Sequence, residues 1–148
     1  DGGNPEADLQ VGPMPSIDIA VGTAIDERSH HPSMVSLFLY NAVIWNPHRI
    51  HFDETYTTQV EKHPGIVIDG PLQGDWLAQV VTEWLGDDGT LVEMEYSNRR
   101  ACYLGETLRA GGTVTEVDSD TDTISLELYI KNEKDEVLVP GRAVVKLS

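Results

Sequence analysis

The chain has a single cysteine, Cys102, which excludes an internal disulfide framework and any multi-cysteine zinc site. Basic residues are also scarce: ten Lys and Arg stand against 25 Asp and Glu, a formal net charge of −15. A balance this negative argues against docking on phosphate backbones or anionic membrane surfaces, so neither nucleic acid nor membrane is expected as a partner. No apolar run approaches the ~20 residues that a membrane span needs. No basic start leads into an apolar stretch of the kind that marks a secretory signal. A soluble cytoplasmic protein is the expectation. The acidity has two readings, a salt-rich cytoplasm or plain solubility, and neither bears on the fold.

What is present suffices for one core. The 148 residues and 40% hydrophobic content match a single domain and are too apolar for a disordered chain. Gly2, Gly3, Pro5, Gly12, Pro13 and Pro15 mark residues 1–16 as a flexible N-terminal arm, followed by one domain over 17–148. Ile17 to Val21 alternates and reads as a short strand, and the polar Asp26 to His31 as a loop. Pro32 suits a first helical position; with Met34, Leu37, Phe38, Asn41 and Ala42 it predicts a helix to about Val43, broken at Asn46-Pro47. Asp53 is a good N-cap for a short helix from Glu54 to about Lys62.

After the apolar Ile66-Val67-Ile68 and Asp69-Gly70 comes a longer helix, about Pro71 to Leu85. Leu72, Trp76, Leu77, Val80, Val81, Trp84 and Leu85 give it a wide apolar stripe of period 3.6. Asp69, just ahead of it, reads as its cap. The last sixty or so residues change to period two, with Val92, Met94 and Tyr96, then Ile124, Leu126, Leu128 and Ile130, alternating with polar neighbours. They predict about four strands in an antiparallel meander. The fold class is α+β, and the economical arrangement wraps the sheet around the wide-striped helix.

Two stretches carry candidate chemistry. Asn46-Pro47-His48-Arg49-Ile50-His51-Phe52-Asp53 packs two His, an Arg, an Asn and an Asp into a stiff connection. His51 suits a general base or acid because imidazole titrates near neutrality. A polar loop with local hydrogen bonds reads these residues equally well, and no helical His-Glu motif supports a metal site. In the second stretch, Pro64 to Leu72, backbone N–H groups at a helix start and the macrodipole favour developing negative charge. An ordinary strand-to-helix turn is the alternative.

Together, Tyr40-Asn41-Ala42, the run Trp45 to Asp53, Tyr56, Val60-Glu61, Pro64-Gly65-Ile66-Val67 and Gly70-Pro71-Leu72 resemble the MaoC-like hotdog-fold hydratases and dehydratases. The branch resembled includes fungal-type mitochondrial 3-hydroxyacyl-thioester dehydratases and mesaconyl-type CoA hydratases. Arg100 to Thr107 is similar to the family's later strand and turn. The resemblance implies a hotdog fold with the Pro71–Leu85 helix at its centre. It implies a thioester substrate on coenzyme A or an acyl carrier protein, no cofactor and no metal, and a homodimer or a heteromer with another hotdog chain. The implied reaction adds water reversibly across a trans-2-enoyl thioester, with His51 as general base or acid, the Gly70 N–H on the thioester oxygen, and Asn46 orienting water or carbonyl. Trp45, His48, Arg49, Pro71, Leu72 and Arg100 are the implied substrate contacts, although Arg49 and His48 equally brace the loop.

Two positions depart from the pattern. Ile44 stands where the better-known branch has an Asp, and Asp69 where many hydratases have a His. A carboxylate beside a developing enolate is unhelpful unless turned away or protonated. The second proton-handling group is therefore unassigned, with Asp53 a candidate better explained as a cap. A non-catalytic subunit of a heteromeric hydratase and a hotdog thioesterase are the alternative readings. Trp76, Trp84 and Cys102 read as packing.

Overall fold

The computed structural model describes residues 19–148. The arm expected over residues 1–16, together with Ile17 and Asp18, lies outside them. The elements in chain order are β1 (Ala24–His30), α1 (Met34–Ile44), a 3-10 turn (Arg49–His51), a π-helical turn (Tyr56–Val60), α2 (Gly70–Leu85), β2 (Gly89–Tyr96), β3 (Leu108–Asp118), β4 (Thr123–Lys131) and β5 (Val137–Leu147).

The five strands form one antiparallel sheet in the order β1-β3-β4-β5-β2. Bulges interrupt the register in all four pairings, and such bulges bend a sheet. The sheet curls so that α2 packs against both edge strands and against β3 and β4. This is the hotdog arrangement. The predicted stripe of α2 is what fills it: Trp76, Leu77, Val80, Val81 and Leu85 are buried, and Trp84 packs partly against the same core. On the strands the alternation works as expected, with Ile124, Leu126, Leu128 and Ile130 inward and Thr123, Ser125, Glu127 and Tyr129 more exposed.

Four local expectations are corrected. Ile19 to Val21 is a turn region, not strand, and the first strand runs through the segment read as loop. β1 is an edge strand that buries only Ile25, so charged residues on both faces hide its period. α1 starts at Met34, because Ser33 and Ser36 form a reciprocal capping box and leave Pro32 outside the helix. The Glu54–Lys62 helix starts at Glu54 as expected but stops at Val60, with its Tyr56–Val60 part in π geometry, and Asp53 caps it, its Oδ1 accepting from the Tyr56 N–H at 2.9 Å.

The fourth correction concerns pairing. β3, β4 and β5 form a meander, but β2 pairs with β5 rather than with β3. Residues 97–107 use the intervening length to cross the start of α2. There the Ile68 N–H bonds the Cys102 carbonyl at 2.8 Å, the Leu104 N–H bonds the Ile66 carbonyl at 2.9 Å, and Val67 and Tyr103 make a single bridge. Cys102 is thus in a crossing segment and not in a strand. It is fully buried, its Sγ donates to Gln73 Oε1, and burial pushes its thiol up to about 12.

Candidate active site

The Asn46–Asp53 connection is stiff for identifiable reasons. Trp45 closes α1 in the left-handed conformation, φ 56°, and the Asn46 N–H bonds back to the Asn41 carbonyl at 3.0 Å. The Asn46 Oδ1 then accepts from the His48 N–H at 3.1 Å. Arg49 donates to Asp53 Oδ2 at 2.7 Å through Nη2 and lies 4.2 Å from the Tyr56 ring centroid. The Tyr56 N–H and the Arg49 guanidinium both hold the Asp53 carboxyl below its ordinary range. Arg49 is therefore a brace of the loop, and Asp53 belongs to that brace rather than to the reacting centre.

The same loop turns His51 inward, leaving it 8% exposed. Its Nδ1 lies 2.8 Å from the Val67 carbonyl oxygen. A carbonyl only accepts, so Nδ1 carries the hydrogen, and in the neutral ring the lone pair sits on Nε2. That Nε2 faces Asp69 Oδ1 at 3.5 Å.

Asp69 does not cap α2 with its side chain. Its carboxylate is completely buried and is not turned away as the enolate reading asks: it points into the His51 pocket, where the Asn41 and Asn46 amides offset its charge. Asn41 Nδ2 donates to Oδ2 at 3.0 Å, and Asn46 Nδ2 donates to Oδ1 at 3.2 Å. Asn41 is itself buried on the inner face of α1, one turn after Leu37, and also donates to the Leu37 carbonyl at 2.8 Å. A buried carboxylate needs such donors, since an isolated buried charge costs several kcal/mol or more.

Directly after Asp69, α2 presents its first-turn N–H groups, which have no intrahelical acceptor. A Cβ at Gly70 would meet Asn98 Nδ2, the far end of an exposed side chain that would have to swing aside. One turn on, a Cβ at Gly74 would collide with the Tyr96 ring. The end of β2 and the residue pair after it thus lie flat against the helix start.

The expected site residues separate into two groups. Asn46, His51 and Gly70 converge, and Asp69, read as a cap, joins them. His48 is exposed, its ring centroid 5.8 Å from that of His51. Pro71 is exposed and Leu72 half-buried on the far side of α2, where Leu72 borders a second cavity with Tyr40, Ser36 and Trp76. Arg100 faces Glu136, with its Nη2 3.6 Å from Oε2. Trp45 is 91% exposed and borders a 340 Å³ groove with Phe38, Ala42 and Phe52, against which Asn41 and Asn46 also lie. Asn41, Val67 and Asn98 join the site without having been singled out. Asn41 had a signal, a lone polar residue on the buried stripe of a helix. Among the described residues, no group of three or more His, Cys, Asp or Glu is gathered as a metal site, and no helix is long and apolar enough to cross a membrane.

Comparison with known proteins agrees with this architecture. The family model for hydroxyacyl-thioester dehydratase type 2 matches residues 15–104. The chain belongs to that family, within the MaoC-like hotdog proteins. It is 42% identical over 41 residues to the mitochondrial hydroxyacyl-thioester dehydratase type 2 of Schizosaccharomyces pombe, covering 28% of this chain and 14% of that protein. It is 47% identical over 45 residues to the mesaconyl-C(4)-CoA hydratase of Chloroflexus aurantiacus, covering 30% of this chain and 16% of that protein. These matches span less than a fifth of either relative's length. In structure it is similar to the (R)-hydratase from A. caviae involved in PHA biosynthesis, with a TM-score of 0.79 at 19% identity over 87% of this chain and 97% of that one.

Proposed function

We propose that the chain catalyses reversible hydration of a trans-2-enoyl thioester, or dehydration of the 3-hydroxyacyl thioester, carried on coenzyme A or an acyl carrier protein. The observation that supports it most is the His51–Asp69 pair, an imidazole Nε2 and a carboxylate oxygen 3.5 Å apart beside the free N–H groups of α2.

In this reading a water donates one hydrogen to Nε2 and one to Asp69 Oδ1, which turns its lone pair towards the substrate β-carbon. As the C–O bond forms, Nε2 takes the water proton and the electron pair of the double bond moves to the thioester oxygen. The Gly70 N–H and the α2 macrodipole stabilise that oxygen, a contribution of about 2.7–4 kcal/mol for one donor. The resulting imidazolium is stabilised by Asp69 and then returns the proton to the α-carbon. One water is added and no electron is transferred, so the steps call on no redox cofactor. Asn46 acts through Asp69, and Arg49 by holding the loop.

The outer stripe of α1, Val35, Leu39 and Val43, is 67%, 57% and 78% exposed. An apolar stripe of this kind supports pairing with a second hotdog chain, whether a copy or a homologue.

The test is turnover of crotonyl-CoA and longer enoyl-CoA thioesters, followed by loss of the conjugated absorbance. His51→Ala should lower kcat by about 10²–10⁴-fold. Unchanged turnover in His51→Ala refutes the assigned base. No turnover unless a second hotdog chain is added refutes the single-chain enzyme.

A further inference from the structure

Gln73 sits one turn into α2 and is 2% exposed, a polar side chain on the buried face of the helix. Burying an amide is costly unless its groups are paired. Every partner of this one belongs to the frame of the site. Nε2 donates to the Ile68 carbonyl at 3.1 Å and to the Asp69 carbonyl at 3.3 Å. Oε1 accepts from the Cys102 Sγ at 3.2 Å. Carbonyls only accept, so the amide nitrogen must face them and the amide oxygen must face the thiol. The Ile68 N–H in turn bonds the Cys102 carbonyl at 2.8 Å, which closes a ring of hydrogen bonds through Gln73, Ile68 and Cys102. The ring leaves the Gln73 amide a single orientation.

The Asp69 carbonyl is held twice by the same residue, because the Gln73 main-chain N–H also bonds it, at 3.2 Å. That carbonyl shares a planar trans peptide with the Gly70 N–H, and the two point in opposite directions. Any rotation of the carbonyl therefore swings the N–H through the same angle. Hydrogen bonds onto the carbonyl also polarise the peptide and strengthen its N–H as a donor. Without the side chain, the plane is held by the first helical bond of α2, and helix ends fray.

We infer that Gln73 is a positioning residue: its side-chain amide fixes the Asp69–Gly70 peptide so that the Gly70 N–H meets the thioester oxygen as negative charge builds on it. The inference rests on the hydration reading above. Gln73 lies beneath the peptide and acts through it. The oxygen carries more charge in the transition state than in the bound substrate, so loss of the amide falls on kcat more than on KM.

The experiment compares wild type with Gln73→Leu, which keeps the bulk and removes the amide, and with Gln73→Met as a second variant of similar volume, at a temperature where circular dichroism shows them folded. The kcat for crotonyl-CoA should fall about tenfold, less than the 10²–10³-fold typical of deleting an oxyanion donor outright, with KM moving by no more than about twofold. The second readout is infrared difference spectroscopy of butyryl-CoA, isotope-labelled at its thioester carbonyl, which has no double bond to hydrate. Binding to wild type should lower the carbonyl stretching frequency, and in both variants most of that shift should be lost. A kcat near wild type in both variants overturns the inference. A loss of kcat with the carbonyl shift intact also overturns it, making Gln73 a packing residue while the reaction stands. If wild type does not turn over crotonyl-CoA, the hydration reading falls and the spectrum still decides. A shift that is lost in Gln73→Leu then supports the placement of the Gly70 donor by Gln73, and no shift on adding butyryl-CoA to wild type refutes it.

Discussion

His51 Nε2 and Asp69 Oδ1 face each other at 3.5 Å although the residues lie on different elements, one in the loop after α1 and the other at the threshold of α2. A base and a carboxylate held this way serve proton transfer only while Asp69 is a carboxylate. Asp69→Asn keeps the shape and removes the charge. It should lower kcat about 100-fold or more, with far-UV circular dichroism unchanged. Near wild-type kcat in this variant would leave His51 to act alone.

Asn41 is the second support of that carboxylate. Asn41→Ala leaves Asp69 Oδ2 without its side-chain donor, while the Leu37 carbonyl keeps the helical N–H of residue 41. An unpaired buried group costs about 1–3 kcal/mol, so a stability loss in that range should appear in denaturant unfolding. Asn46→Ala, at a less buried position, should cost less.

Gly70 and Asn98 are coupled by contact. Gly70→Ala should lower activity because the new methyl displaces the Asn98 amide. Adding Asn98→Gly should restore part of it. A double-mutant cycle with a coupling of at least about 0.5 kcal/mol supports the contact, and additive effects refute it.

His30 gives a pH dependence separate from the active site. Its ring stacks on Trp76 at 4.2 Å, and burial, with Arg28 and His31 adding, lowers its pKa to about 4 against the opposing pull of Glu83. Its Nε2 is buried without a partner. Because the folded pKa is below the unfolded value of 6.5, the unfolded chain binds more protons between these values. Stability from this residue is therefore complete above pH 6.5 and lost as pH falls towards 4. Thermal melts should show His30→Phe with a shallower decline over this window than wild type.

The parts of the fold that were legible in the sequence are those whose partner is a generic apolar surface. The α2 stripe and the β4 alternation report burial directly, since any core on that side satisfies them. β1 was not legible because it is wet on both faces, and the β2–β5 pairing was not, because register between distant strands leaves no local period. The motif around His51 marked the site by resemblance. The orientation of Asp69 was hidden for a different reason. A capping Asp and an inward Asp share one local sequence, and what decides between them is Asn41, twenty-eight positions earlier.

The crossing segment 97–107 is a remote support of the site. Its Cys102 and Leu104 close hydrogen bonds with Ile68 and Ile66, the stretch that also presents the Val67 carbonyl to His51. The final geometry of residues 66–68 thus depends on a segment that follows β2 in the chain. The reacting centre therefore relies on contacts about 35 residues apart in sequence, whose closure carries an entropic cost. Any nascent chain that ends before Leu104 carries the whole motif without the support that orients it.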